Sequence, residues 1–290
     1  MKRLIAIVGP TATGKSALAL RFAERLEGAA ILSADSRQVY RGLDVGTAKP
    51  SAADRARVPH ELIDVVNADQ PFSLADYQRL AYEAIERVER PFLVGGSGLY
   101  AQAVLDGFEL PAAPPDAQLR SAEPTPDELL RTLRTLDPHT AETIDPANRY
   151  RLLRAVERAG RPLGRAPRYH TLRLGLSAPR EVLYQRSDER IDAMLAAGWL
   201  EEVRKLLERY AVGLPALSSL GYRELADHLA GHGSLAEAAA LIKRRTRQFI
   251  KRQLTWFRRD SLLEWFDITQ PGWIAQATEL VGEFWRLPQP

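Results

Sequence analysis

The sequence contains no cysteine. Disulfides, zinc–thiolate sites and cysteine nucleophiles are therefore excluded. Histidine is scarce. His60, His139, His170, His228 and His232 show no metal-ligand spacing, so isolated surface or turn roles are expected. No apolar stretch approaches the ~20 residues that a membrane-spanning helix needs, and no membrane partner is expected. Met1-Lys-Arg-Leu runs directly into an apolar stretch without a signal-peptide cleavage pattern, so a cytoplasmic location is expected. Lysine is also rare: of 40 basic residues, 34 are Arg and 6 are Lys. Arg suits planar recognition of phosphate and stacking on bases, although a GC-rich genome produces the same excess. The net charge is only +3, so where the basic residues cluster is more informative than their sum.

At 290 residues, 45% hydrophobic and 27% charged, the chain has the composition of a globular protein. Its length suits about two domains of ~150 residues. The most specific motif is Gly9-Pro10-Thr11-Ala12-Thr13-Gly14-Lys15-Ser16, directly after the apolar run Leu4–Val8. Gly, four free positions and Gly-Lys-Ser describe a loop between a buried strand and a helix, whose backbone N–H groups hold a diphosphate. Lys15 supplies a positive charge and Ser16 a hydroxyl for Mg²⁺. Residues 17–26 continue with the apolar stripe of a helix.

Strand and helix signals alternate through the first hundred residues. Strands are expected at Leu4–Val8, Ala29–Ser33 and Pro91–Gly95, with helices at Gly14–Leu26, Ser73–Glu89 and from Leu99, and a polar loop over 34–59. This order implies an α/β fold, a parallel P-loop NTPase-like sheet with helices on both faces. Ligands of such sheets bind at the carboxyl ends of the strands. The glycine loop after Val8, Asp35-Ser36 after Ser33 and Gly95-Gly96-Ser97-Gly98 after Val94 converge there. Pro111–Pro115 and Glu123–Pro126 read as linkers, and short amphipathic helices are expected at 127–136 and 148–159. Residues 107–165 read as a helical insertion into a core of 1–106 and 166–290. A strand at Thr171–Leu176 is followed by helices over 180–197, 200–210, 222–230 and 235–259.

Asp35, after the second strand, faces the phosphate loop. It suits a metal–water ligand or a general base, and an Asp that merely caps a turn fits the position as well. The run Lys243 to Arg259 holds eight basic residues and no acid, including Lys243, Arg244, Arg245, Arg247 and Lys251. Phe249, Ile250, Leu254 and Phe257 recur at helical spacing, so one face packs and the other is cationic. That pattern suits a phosphate-backbone contact, and a solvated basic face is the plainer alternative. Asn148-Arg-Tyr150-Arg151-Leu152-Leu153-Arg154 is a second basic patch.

Several segments occur together and in order. They are Gly9–Ser16; Asp35-Ser36-Arg37-Gln38-Val39-Tyr40 through Pro50; Pro59–Asp64; Val94–Tyr100; Asn148–Glu157; Gly221-Tyr222-Arg223-Glu224; and Thr246–Arg258. This set resembles the bacterial tRNA dimethylallyltransferase (tRNA isopentenyltransferase) family over nearly the whole chain. The resemblance implies transfer of a dimethylallyl group from its diphosphate to N6 of the adenosine 3′-adjacent to the anticodon. The tRNAs concerned read codons beginning with U, and diphosphate is released. It implies that Gly9–Ser16 and Arg223 hold the diphosphate, that Mg²⁺ binds through Ser16, and that Lys15 and Thr11 assist the reaction. Asp35 is implied as the group that binds the amine and takes its proton. Asp35, Ser36, Arg37, Gln38 and Ser97 are implied around the extruded base. Arg120, residues 150–154, Lys243, Arg244, Arg245, Arg247 and Lys251 are implied on the anticodon stem-loop. Ser97 stands where Thr is common in the family, and 107–148 is short and proline-rich. A monomer is expected. The alternatives are a P-loop small-molecule kinase using ATP, a prenyltransferase of free adenine nucleotides, and a non-catalytic RNA-binding protein. The first two leave the basic helix without a task, and the last leaves Asp35 without one.

Overall fold

The computed structural model describes residues 1–110, 116–158 and 164–286. The expected proline-rich linker 111–115 and Ala159, at the end of an expected helix, lie outside the described residues. The chain divides into two compact units, Met1–Asp106 with Arg168–Pro290, and Gly107–Pro167.

The first unit is built on six parallel strands in the order β3-β2-β4-β1-β5-β6. They are β1 (Arg3–Val8), β2 (Ala29–Ser33), β3 (His60–Glu61), β4 (Arg90–Gly95), β5 (His170–Ser177) and β6 (Leu263–Asp267). Helices α1 (Lys15–Ala23), α2 (Ala52–Arg57), α3 (Leu74–Arg87) and α4 (Gly98–Leu105) alternate with the first strands. In β1, Leu4, Ala6 and Val8 pack on one side with Tyr77 and Ile85 of α3 and Val104 of α4. Ile5 and Ile7 pack on the other with Leu18 and Phe22 of α1. Burial on both faces is why such strands read as unbroken apolar runs. Ser73 starts α3 by accepting from the Asp76 N–H while Asp76 accepts from Ser73 in return.

The second unit contains α5 (Ala117–Ser121), α6 (Pro126–Leu136), α7 (Pro138–Thr143) and α8 (Arg149–Glu157). Leu129 and Leu133 of α6 pack on Leu152 and Leu153 of α8. The first unit continues with α9 (Arg180–Ala196), α10 (Trp199–Leu207), α11 (Tyr222–Leu229), α12 (Leu235–Phe257) and α13 (Trp273–Arg286). Trp199, Val203, Tyr222, Leu225 and Ile242 join Val39 and Leu43 in a separate core beside the sheet.

The sequence pattern did not reveal α2, β3, α5, α7, β6 and α13. β3 has two residues and too little pattern to read. β6, Leu-Glu-Trp-Phe-Asp, is an edge strand whose Glu264 and Trp265 are exposed, so it lacks the continuous apolar signal of a central strand.

Candidate functional site

Three of the four central strands end at one cavity of about 390 Å³. After β1 come Thr11, Lys15 and Ser16; after β2, Asp35, Ser36, Arg37 and Gln38; and at the end of β4, Val94–Ser97. Gly14 takes φ +81° as it turns the chain into α1, a conformation that disfavours a side chain. Gly9 sits against Leu176 of β5, where a Cβ would lie 2.3 Å from the carbonyl oxygen. The first N–H groups of α1 lack intrahelical partners, as at every helix start, and the helix dipole favours an anion there.

Lys15 is half-buried at this point. Its Nζ donates to the Pro10 carbonyl at 2.6 Å. Burial, and then repulsion from Arg190, push its pKa down to about 7, while Asp35 opposes the shift. Thr13 is buried and donates to the same Pro10 carbonyl, so its hydroxyl shapes the loop and is not offered to a ligand. Gly9, Pro10 and Ala12 likewise form the loop without lining the cavity.

Asp35 Oδ1 accepts from the Arg37 N–H at 2.8 Å. Among the described residues its Oδ2 has no hydrogen-bond partner. The carboxylate is close enough to shift the titration of Lys15 and Arg190. Asp35 therefore does make a turn, and one oxygen remains for the cavity. The Ser97 hydroxyl accepts from the Ser36 N–H at 3.0 Å and links the β2 and β4 loops. Gln38 lines the cavity with its amide engaged at both ends, accepting from Ser33 and donating to Thr47 and Ala48. Arg37 donates to the Pro215 carbonyl at 2.9 Å.

The opposite wall was not legible in the sequence. It comes from α9 (Ser187, Arg190, Ile191, Met194), Trp199 of α10, Ser219–Tyr222 around the start of α11, and α12 (Thr246, Phe249, Arg252, Gln253). The signal was present as helical spacing: 187, 190, 191 and 194 share one face of a helix. Arg190 has no ion pair among the described residues and lies 3.5 Å from the Thr11 hydroxyl. Gln253 is buried. It accepts from the Thr11 N–H at 3.0 Å and donates to the Gly96 carbonyl at 2.9 Å, tying α12 to both loops. Glu202 accepts from the backbone of Asp44, Val45 and Gly46 and from the Tyr222 hydroxyl, and so fixes the cavity-lining loop at 46–48.

Four sequence expectations change. Arg223 is exposed and does not line the cavity. Its neighbours Tyr222 and Glu224 point inward, the latter to the Gly221 N–H at 2.6 Å, which turns residue 223 outward. The arginines that do line the cavity are Arg37, Arg190 and Arg252, of which Arg190 is the one within reach of the phosphate loop, at Thr11. Leu152 and Leu153 are the core of the second unit and present no surface. Arg120 and Arg154 both pair with the buried Glu157 carboxylate, which leaves Arg149, Tyr150 and Arg151 as the exposed residues of that patch. On α12 the cations are not free of acids. Lys243 pairs with Asp192, Arg247 with Asp188 and Arg245 with the buried Glu224. The acids come from α9 and α11, which packing brings alongside. Arg244, Lys251, Arg252, Arg258 and Arg259 stay exposed, with no ion pair among the described residues.

Among the described residues no three His, Cys, Asp or Glu side chains cluster as a metal site, and no helix is long and apolar enough to cross a membrane. Ser16 and Asp35 share the cavity, which suits a Mg²⁺ that takes one or two protein ligands and completes its shell with phosphate oxygens and water.

The chain is similar to known proteins over nearly its whole length. The IPP transferase family model matches residues 38–260, and an isopentenyl transferase model matches 2–64. A tRNA dimethylallyltransferase of Moorella thermoacetica is 45% identical, over 97% of this chain and 94% of that protein. The full-length tRNA isopentenylpyrophosphate transferase of Bacillus halodurans superimposes with a TM-score of 0.76 at 36% identity, covering 98% of this chain and 97% of that one. A eukaryotic dimethylallyltransferase acting on tRNA superimposes with a TM-score of 0.83 at 26% identity, covering 97% of this chain and 78% of that one.

Proposed function

The chain belongs to the IPP transferase family, whose transfer of a dimethylallyl group to tRNA is its activity, and on that premise we propose how its residues carry out the reaction. The observation that carries the reading is the shared cavity, in which an anion cradle with two unpaired cations faces a carboxylate with a free oxygen. The donor is dimethylallyl diphosphate, its diphosphate on the first N–H groups of α1 with Lys15 and Arg190 on either side. The acceptor is N6 of the adenosine 3′-adjacent to the anticodon, in tRNAs reading codons that begin with U.

Asp35 Oδ2 accepts a hydrogen bond from the N6 amine and orients its lone pair toward the allylic carbon. The N6–carbon bond forms, the carbon–oxygen bond to diphosphate breaks, and the N6 proton passes to Asp35. An exocyclic amine is a weak nucleophile, so positioning contributes more than base strength. Lys15 and Arg190 stabilise the charge that collects on the leaving diphosphate, in a half-buried setting that strengthens such contacts over those in open water. Mg²⁺, held by Ser16 and the phosphate oxygens, would add to that neutralisation. Thr11 and Ser97 line the space around the reacting atoms. The exposed cations of α12, and Tyr150 and Arg151 of the second unit, hold the anticodon stem-loop. The protein acts in the cytoplasm, as a monomer.

A single assay tests this reading: protein, Mg²⁺, labelled dimethylallyl diphosphate and unmodified tRNA, with ATP in a parallel reaction. Label is expected in tRNA. ATP turnover without transfer of label would return the site to the kinase alternative.

A further inference from the structure

Thr246, Phe249 and Gln253 stand at i, i+3 and i+7 on the cavity side of α12. Thr246 and Gln253 are buried, whereas Phe249 is 36% exposed. An aromatic ring at the border between a polar cavity and solvent is costly to leave uncovered. The Arg252 guanidinium lies over that ring, 5.7 Å from its centroid, and also lines the cavity. Beyond Phe249, the outer face of the same helix carries Arg244 and Lys251, and Arg258 and Arg259 follow its end, all exposed and with no ion pair among the described residues. Arg244, Gln248, Lys251 and Thr255 recur at i, i+4, i+7 and i+11, so this face is a continuous polar and cationic stripe.

From this placement we infer that Phe249, capped by Arg252, is a stacking platform for the acceptor purine as it enters the cavity. The inference rests on the proposed transfer to tRNA and adds the group that receives the base. Unpaired RNA bases are held by stacking on aromatic rings and guanidinium planes, with phosphates tracked by cations alongside. The stripe supplies the phosphate path and Phe249 the ring where that path meets the cavity. Ile191, Met194, Trp199 and Leu220, which belong to one hydrophobic cluster, also line the cavity and offer the prenyl tail an apolar wall. The base leaves its own stack at a cost of a few kcal/mol, and the platform offsets part of that cost.

The test uses an anticodon stem-loop carrying 2-aminopurine at the acceptor position, whose fluorescence is quenched on stacking, with F249A, F249L, F249Y and F249W. Wild type, F249Y and F249W are expected to quench. F249A and F249L should leave the probe bright at saturating protein and raise the KM for tRNA about tenfold or more, the scale of one lost base stack. The KM for dimethylallyl diphosphate should not change. F249L keeps an apolar side chain of similar bulk, so it separates stacking from packing. Quenching by F249L equal to wild type, or a rise confined to the donor KM, overturns the platform. Wild-type label transfer, measured in parallel, reports on the underlying reaction: a bright probe with wild-type protein that still prenylates tRNA rejects the platform and leaves the reaction standing.

Discussion

At the scale of single residues, the site is a balance between Lys15, Arg190 and Asp35. In Asp35→Asn the turn made with the Arg37 N–H survives, because the amide oxygen still accepts, but the acceptor for the N6 proton is lost. Turnover is expected to fall about 10²-fold or more, the scale of losing a general base, with tRNA affinity retained in a filter-binding measurement. Unchanged turnover would remove Asp35 from the chemistry. Lys15 carries a pH prediction. In the free protein its pKa is pushed down to about 7. A bound diphosphate keeps it protonated, so above that pH binding takes up a proton. Affinity for the donor is therefore expected to weaken as pH rises past 7, by up to tenfold per unit for one linked proton. Below 7 Lys15 is already charged and this dependence disappears. Donor binding followed by calorimetry between pH 6 and 9 checks the sign, and Arg190→Met, which removes the neighbouring cation, should move the onset upward.

At the scale of elements, α12 shows why counting charges along a sequence overstates a basic surface. The run from Lys243 to Arg259 has no acid of its own, yet Asp192, Asp188 and Glu224 arrive from α9 and α11 to pair with Lys243, Arg247 and Arg245. Neutralising Arg244, Lys251 and Arg252 together is expected to weaken tRNA binding and reduce the slope of log affinity against log salt by as much as about 2–3 units, near one for each phosphate no longer neutralised. Neutralising Lys243, Arg245 and Arg247 should change that slope less. Arg245→Gln should act on stability as well, since it strips the partner from a buried Glu224. Equal slopes in the two triple variants would show that the pairing does not decide which cations meet RNA. Helix α9 shows the opposite limit of sequence reading. Ser187, Arg190, Ile191 and Met194 look like any mixed helical stripe, and only its packing against α12 makes that stripe a wall of the site.

At the scale of the whole molecule, the central strands and the loops that follow them were readable because each is bounded by local chemistry: an apolar run buried on both faces, then glycine or an acid. β1, β2, β4 and β5, with the phosphate loop, Asp35 and Ser97, belong to this class. What was not readable depends on distant partners: the edge strand β6, the outward turn of Arg223, the burial of Leu152 and Leu153. Arg173 of β5 is the clearest case, since in the sequence it is one arginine within an apolar strand. In the structure its Nη1 donates to Asp106 at 2.9 Å and to Asp260 at 2.8 Å, and Nη2 donates to the Leu105 carbonyl at 3.2 Å. Asp106 is the last residue before the second unit leaves the core, and Asp260 follows the end of the basic helix. One buried guanidinium thus joins the residue where the insertion departs, the strand at its return, and the exit of α12. Arg173→Met leaves two carboxylates close together with little water, and removing one partner of a buried ion pair costs about 3–5 kcal/mol. A drop of that size is expected in denaturant unfolding. Adding Asp106→Asn and Asp260→Asn should recover a substantial part of it, because the repulsion and the unpaired charges then disappear together. If Arg173→Met alone unfolds at the wild-type midpoint with an unchanged slope, the three charges contribute no net stability and their role is confined to fixing where these segments meet.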